Sequence, residues 1–85
     1  MENAINAIMI KRLGINFVEN KDLANECFFG QRIKAPIHEL LLSLIDIEKE
    51  FHIHLSEQKI IDGKYDTYNH VIELVREEIE EFGVI

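Results

Sequence analysis

Eighty-five residues give room for one domain with a single core, spanning residues 1–85. Hydrophobic residues at 47% and charged residues at 29% exclude a disordered chain. A formal charge of −7 opposes contact with nucleic acid and anionic lipid, and suits basic surfaces of other proteins. The single cysteine, Cys27, rules out an internal disulfide and a cysteine-based zinc site.

The first predicted helix covers Glu2 to Leu13. Ile5, Ile8, Met9 and Leu13 recur at helical spacing and form one apolar stripe. Gly14 follows as the stop signal. From Ile15 to Ala35 the apolar residues (Phe17, Val18, Leu23, Phe28, Phe29, Ile33) show no period, and a loop this long in a small domain is unusual. A short helical turn fits around Lys21 to Cys27. Cys27, beside Phe28 and Phe29, is expected to pack against apolar neighbours.

The second helix has the clearest start. Pro36 suits a first turn, where its missing N–H costs nothing. Ile37, Leu40, Leu44, Ile47 and Phe51 keep a 3–4 spacing over four turns, and Leu41 widens the stripe. Leu42 and Ile45 lie off it. They either bury against the long loop or stay open as a contact pair.

His52 to Leu55 reads as an extended link into a short third helix, begun by Ser56 and ended by Gly63 near Asp62. Asp66 or Thr67 caps the last helix, whose seam is Tyr68, Ile72, Val75, Ile79 and Phe82. The run Arg76 to Glu81 is expected to be a solvated face. No apolar run approaches the roughly 20 residues of a membrane span, and no signal-peptide order opens the chain, so a cytoplasmic protein is expected. His52 and His54, at i and i+2 on an extended segment, can share one face as zinc ligands, with His38 and His70 elsewhere. Against this, no cysteine lies near in sequence and no HExxH pattern exists, and no catalytic-serine or phosphate-loop motif is present. An enzyme is therefore not expected.

The segment PIHELLLSLIDIEKEF (Pro36 to Phe51) resembles the second helix of acyl carrier proteins. The continuation EKEFHIHLSEQKIIDGKYDTYNHVIELV is similar to their second half, with Glu48 to Phe51 as the acidic close and Ile53 and Leu55 as the following pair. Together with the first helix, the likeness covers nearly the whole chain. Phe28-Phe29-Gly30, Glu39-Leu40-Leu41 and the EKEF close resemble a narrower group, the acyl-carrier-related proteins of bacterial peptide-maturation (bacteriocin-type) systems. The resemblance implies an all-α, four-helix carrier-type bundle with three long helices, a short third helix and a long first loop.

Carriers of this family open the second helix with Asp-Ser-Leu, and the serine bears 4′-phosphopantetheine. Here the matching register is Pro36-Ile37-His38, so Ile37 stands where the attachment serine would be and no cofactor is expected. Ser43 lies about 9 Å further along the helix, and Ser56 and Thr67 are assigned as caps. What the resemblance leaves is a docking surface for a protein partner, such as a biosynthetic or peptide-modifying enzyme or a precursor peptide. Glu39 and Glu48 match acidic positions, with Leu42 and Ile45 as the apolar centre; Leu42 and Lys49 replace acids common in the family. A monomer is expected. Two further readings stay open, a genuine carrier modified elsewhere and an unrelated acidic helical adaptor, monomeric or dimeric.

Overall fold

The computed structural model describes residues 1–55, 58 and 62–82. These residues are all-helical, with no strand among them: α1 (Glu2–Leu13), α2 (Ile37–Phe51) and α3 (Tyr68–Phe82), plus a one-turn 3-10 helix at Lys21–Leu23 in the long first loop. The expected short helix between Ser56 and Asp62 lies outside the described residues, except that the Asp62 N–H donates to the Gln58 carbonyl at 2.8 Å.

Helix α1 ends where its sequence says. Gly14 adopts the left-handed conformation (φ 71°) and its N–H donates to the Ile10 carbonyl at 2.9 Å. Ile5 and Met9 are fully buried, while Ile8 and Leu13 pack only partly against the core. Asn6 shares the inner face and is 7% exposed. Its Oδ1 accepts the Phe17 N–H at 2.8 Å and its Nδ2 donates to Asn16 Oδ1 at 2.9 Å. A buried amide satisfied on both ends is a specific tie, and here it anchors the start of the long loop.

That loop is ordered by aromatic packing rather than by periodic structure. Phe17 stacks on Tyr68 with ring centroids 4.6 Å apart and meets Phe28 edge-on at 6.2 Å; Phe28 in turn lies 6.1 Å from Tyr65. Backbone bonds complete the attachment. The Phe28 N–H donates to the Asp66 carbonyl (2.7 Å), the Ala35 N–H to the Phe28 carbonyl (2.8 Å) and the Asn69 N–H to the Ala24 carbonyl (3.1 Å). The last of these occupies one of the free N–H groups that open α3. Thr67 supplies the cap itself, its Oγ1 accepting the His70 N–H at 3.1 Å.

Three expectations about side chains are corrected. Cys27 is exposed, because Phe28 turns into the core and leaves its neighbours outside. Ile37 and Leu41, assigned to the α2 stripe, are 64% and 48% exposed, since Phe29, Gly63 and Tyr65 border that flank of the helix without enclosing it. Ser43 takes the place left beside Leu40, Leu44 and Ile47 in the buried face. In α3, Val71 and Leu74 join Tyr68, Ile72 and Val75 inside, and Glu78 is buried within the run read as solvated. The Phe82 side chain lies outside the described ones.

Candidate docking surface

Helix α2 carries eight large apolar residues in fifteen, more than one buried stripe can absorb. The core takes Leu40, Leu44 and Ile47 fully and Phe51 in part. Ile37, Leu41, Leu42 and Ile45 remain exposed. At about 100° per residue these four spread over roughly 140° of the helix circumference. Leu42 and Ile45 are thus exposed, at 37% and 42%, rather than enclosed.

The two acids predicted to flank that pair lie at its opposite edges, about 180° apart around α2 by the same geometry. Both are half-buried. Glu48 is held within the fold: its Oε2 accepts the Leu55 N–H at 2.9 Å and lies 3.1 Å from His54 Nδ1. Glu39 faces the Arg12 side, where its charge helps to raise the Arg12 pKa after the larger effect of Asp46. Asp46 itself pairs with Arg12, whose Nε and Nη2 donate to its two carboxylate oxygens at 2.8 and 3.3 Å, pulling its pKa below the usual range. Much of the acidity of α2 thus serves the α1–α2 junction and the turn after α2. The surface between Glu39 and Glu48 is apolar at its centre, with His38 and Lys49 exposed on it.

A second feature was not read from the sequence. At the start of α2, Ile37 and Leu41 join Phe29, Tyr65, Gly63 and Asp66 around an apolar pocket of about 100 Å³. Phe29 is 56% exposed at its rim. Tyr65 is 5% exposed, and its hydroxyl lies 2.9 Å from Ser43 Oγ, which also donates to the Leu40 carbonyl at 2.6 Å. With the single serine proton committed to Leu40, Tyr65 is the donor. Burial pushes the Tyr65 phenol well above its ordinary pKa; the Ser43 bond opposes this, and Asp46 and Glu48 add to it. Burial, then Glu2, pushes Tyr68 up to about 12. Both phenols stay protonated at any physiological pH. The surplus of leucine and isoleucine in α2 was the signal that could have revealed this pocket.

Ile37 is the first residue of α2, with Pro36 before it in an extended conformation. The free N–H groups of the helix start are therefore beside a side chain that has no nucleophilic atom. Ser43 is fully buried in the second turn and Thr67 is 8% exposed and engaged as a cap. Ser56 lies outside the described residues. Phosphopantetheine does not fit this set: the exposed position lacks a hydroxyl, and the described hydroxyls nearby are enclosed.

Among the described residues, no three His, Cys, Asp or Glu side chains are grouped to hold a metal ion, and no helix is long and apolar enough to cross a membrane. No protein-family model, curated protein or solved structure matches this chain.

Proposed function

We propose that the chain is a carrier-protein-like interaction module that docks to a protein partner and carries no phosphopantetheine. The observation that supports it most is Ile37, exposed at the first position of α2 and bordered by an open apolar surface. In this reading a short helix between Ser56 and Asp62 completes a four-helix carrier-type bundle. The partner is a modifying enzyme or precursor peptide of a peptide-maturation system of the bacteriocin type, met in the cytoplasm by a monomeric domain. Leu42 and Ile45 supply apolar contact, and Glu39 and Glu48 the flanking charge. Glu48 has a second duty in holding the Leu55 turn.

The test is covalent loading. Wild-type protein incubated with coenzyme A and a permissive pantetheinyl transferase keeps its mass, whereas Ile37→Ser gains one pantetheine. A gain by the wild type refutes the reading, and repeating it with Ser56→Ala says whether Ser56 was the attachment point. An Ile37→Ser protein that folds but stays unloaded removes the carrier-like assignment of that helix start.

A further inference from the structure

We infer that the pocket at the start of α2 is a socket for one aliphatic side chain of a basic peptide segment in the partner. The inference rests on the docking reading above and assigns its occupant and its place.

Size decides the apolar part. An apolar cavity of about 150 Å³ accommodates a benzene ring, so about 100 Å³ takes a single leucine- or isoleucine-sized group. Phe29, Ile37 and Leu41 form its open rim, and the Tyr65 hydroxyl is already used by Ser43. Asp66, also in the lining, has its carboxylate bonded to His70, so the wall presents mainly carbon and no unpaired donor to an incoming group. A polar side chain would lose its water there and gain nothing.

Charge decides the rest. Gly63 also lines a neighbouring groove of about 260 Å³, bordered by Lys64, His70, Glu73, Leu74 and Glu77. Glu73, Glu77 and Glu80 are exposed on α3 at i, i+4 and i+7, one acidic column beginning beside the socket. Lys64 is the one basic residue among the groove's described lining apart from His70. A lysine or arginine following the anchoring residue meets Glu73 and Glu77. A second copy of this chain is a poor occupant, because two bodies of charge −7 repel. The partner thus presents an aliphatic residue with basic neighbours, and α3 takes part in a surface that the sequence placed on α2 alone.

Two synthetic octapeptides of the same leucine pattern, one with lysines and one with glutamates, are titrated into the isotopically labelled full chain and followed by NMR. The lysine peptide shifts Phe29, Ile37, Leu41, Gly63 and Tyr65, and the glutamate peptide does not bind. Leu41→Glu and Ile10→Glu add the same charge at exposed positions, the first on the socket rim and the second on α1 outside it. The first lowers affinity for the lysine peptide at least tenfold, and the second leaves it within about twofold, because only Leu41 lines the socket. Glu73→Gln with Glu77→Gln weakens binding about threefold and flattens its salt dependence.

Equal effects of Leu41→Glu and Ile10→Glu, equal binding of both peptides, or no shift at millimolar peptide overturns the inference. So does a concentration-dependent dimer that Leu41→Glu dissolves. Binding lost in Leu42→Glu but kept in Leu41→Glu also overturns it, yet leaves docking on α2 intact. Pantetheine loading of the wild type is the separate result that removes the docking reading.

Discussion

Replacing Ser43 by alanine tests how the buried face of α2 is held. Ser43 is fully enclosed; its Oγ donates to the Leu40 carbonyl and accepts from Tyr65, which is 5% exposed. Alanine strands the Tyr65 hydroxyl without a partner, and a buried unsatisfied hydroxyl costs about 1–3 kcal/mol. Tyr65→Phe removes the donor instead, and Ser43 keeps Leu40, so the cost is about 0.5–1.5 kcal/mol. In the double variant nothing is stranded. Its cost is therefore smaller than the sum of the singles by about 1 kcal/mol or more. Urea unfolding of the four proteins reads this directly. Ser43→Ala lowers the midpoint by about 1–2 M in a domain of this size, and the melting temperature by about 8–16 °C for 2 kcal/mol. Additive costs, or a loss below about 0.5 kcal/mol for Ser43→Ala, refute the bond as drawn. The same variant bears on function, since a loss confined to stability, with no change in coenzyme A labelling, is what an enclosed structural serine gives.

Glu48→Gln keeps an acceptor for the Leu55 N–H and is nearly neutral, whereas Glu48→Ala loses about 1 kcal/mol in chemical denaturation; equal losses would make charge, not the bond, the cause. The Asp66 carboxylate bonded to His70 Nδ1 raises the His70 pKa, with Glu73 adding to it and burial opposing it. The folded value lies above the unfolded one, so this contribution is complete below about pH 6.5 and is lost as pH rises through the raised value. Melting curves from pH 5.5 to 8.5 decline relative to those of His70→Gln across that window, and parallel curves count against the pair. His52 occupies the left-handed position after α2 with φ 53°, so His52→Gly stabilises the domain by about 0.5–1 kcal/mol, readable as a higher melting temperature.

Helix positions were legible because local rules act within one turn. Gly14, Pro36 and Thr67 stop or start helices through their own backbone or hydroxyl, whatever packs above them. The long loop was not legible, because Phe17, Phe28, Tyr65 and Tyr68 meet through tertiary contacts that leave no period in the sequence. Asn6 escaped notice for a related reason. A stripe of apolar residues defines a face, and a polar side chain inside that face is recognised only when its partners, here Phe17 N–H and Asn16, are in place. Of the predicted docking set, the sequence placed Leu42 and Ile45 off the core stripe, and they are open. It could not tell that Glu48 would be tied to Leu55. Ile37 and Leu41 failed differently. Helical spacing says which side a residue is on, but not how far along the helix the neighbouring elements reach.

Folding gives no account of the four exposed apolar residues of α2. Scattered exposed leucines are ordinary, but four within one arc of a single helix are a patch, bordered by Phe29 and a pocket. Isoleucine is a weaker helix former than leucine, glutamate or lysine, so Ile37 and Ile45 do not serve the helix at exposed sites. Substituting them there by longer polar residues changes stability by less than about 0.5 kcal/mol. The net charge of −7 opposes contact between two copies of such a surface. An apolar arc that folding does not require, on a chain whose charge opposes self-association, is what the proposed docking to a partner of opposite sign would use.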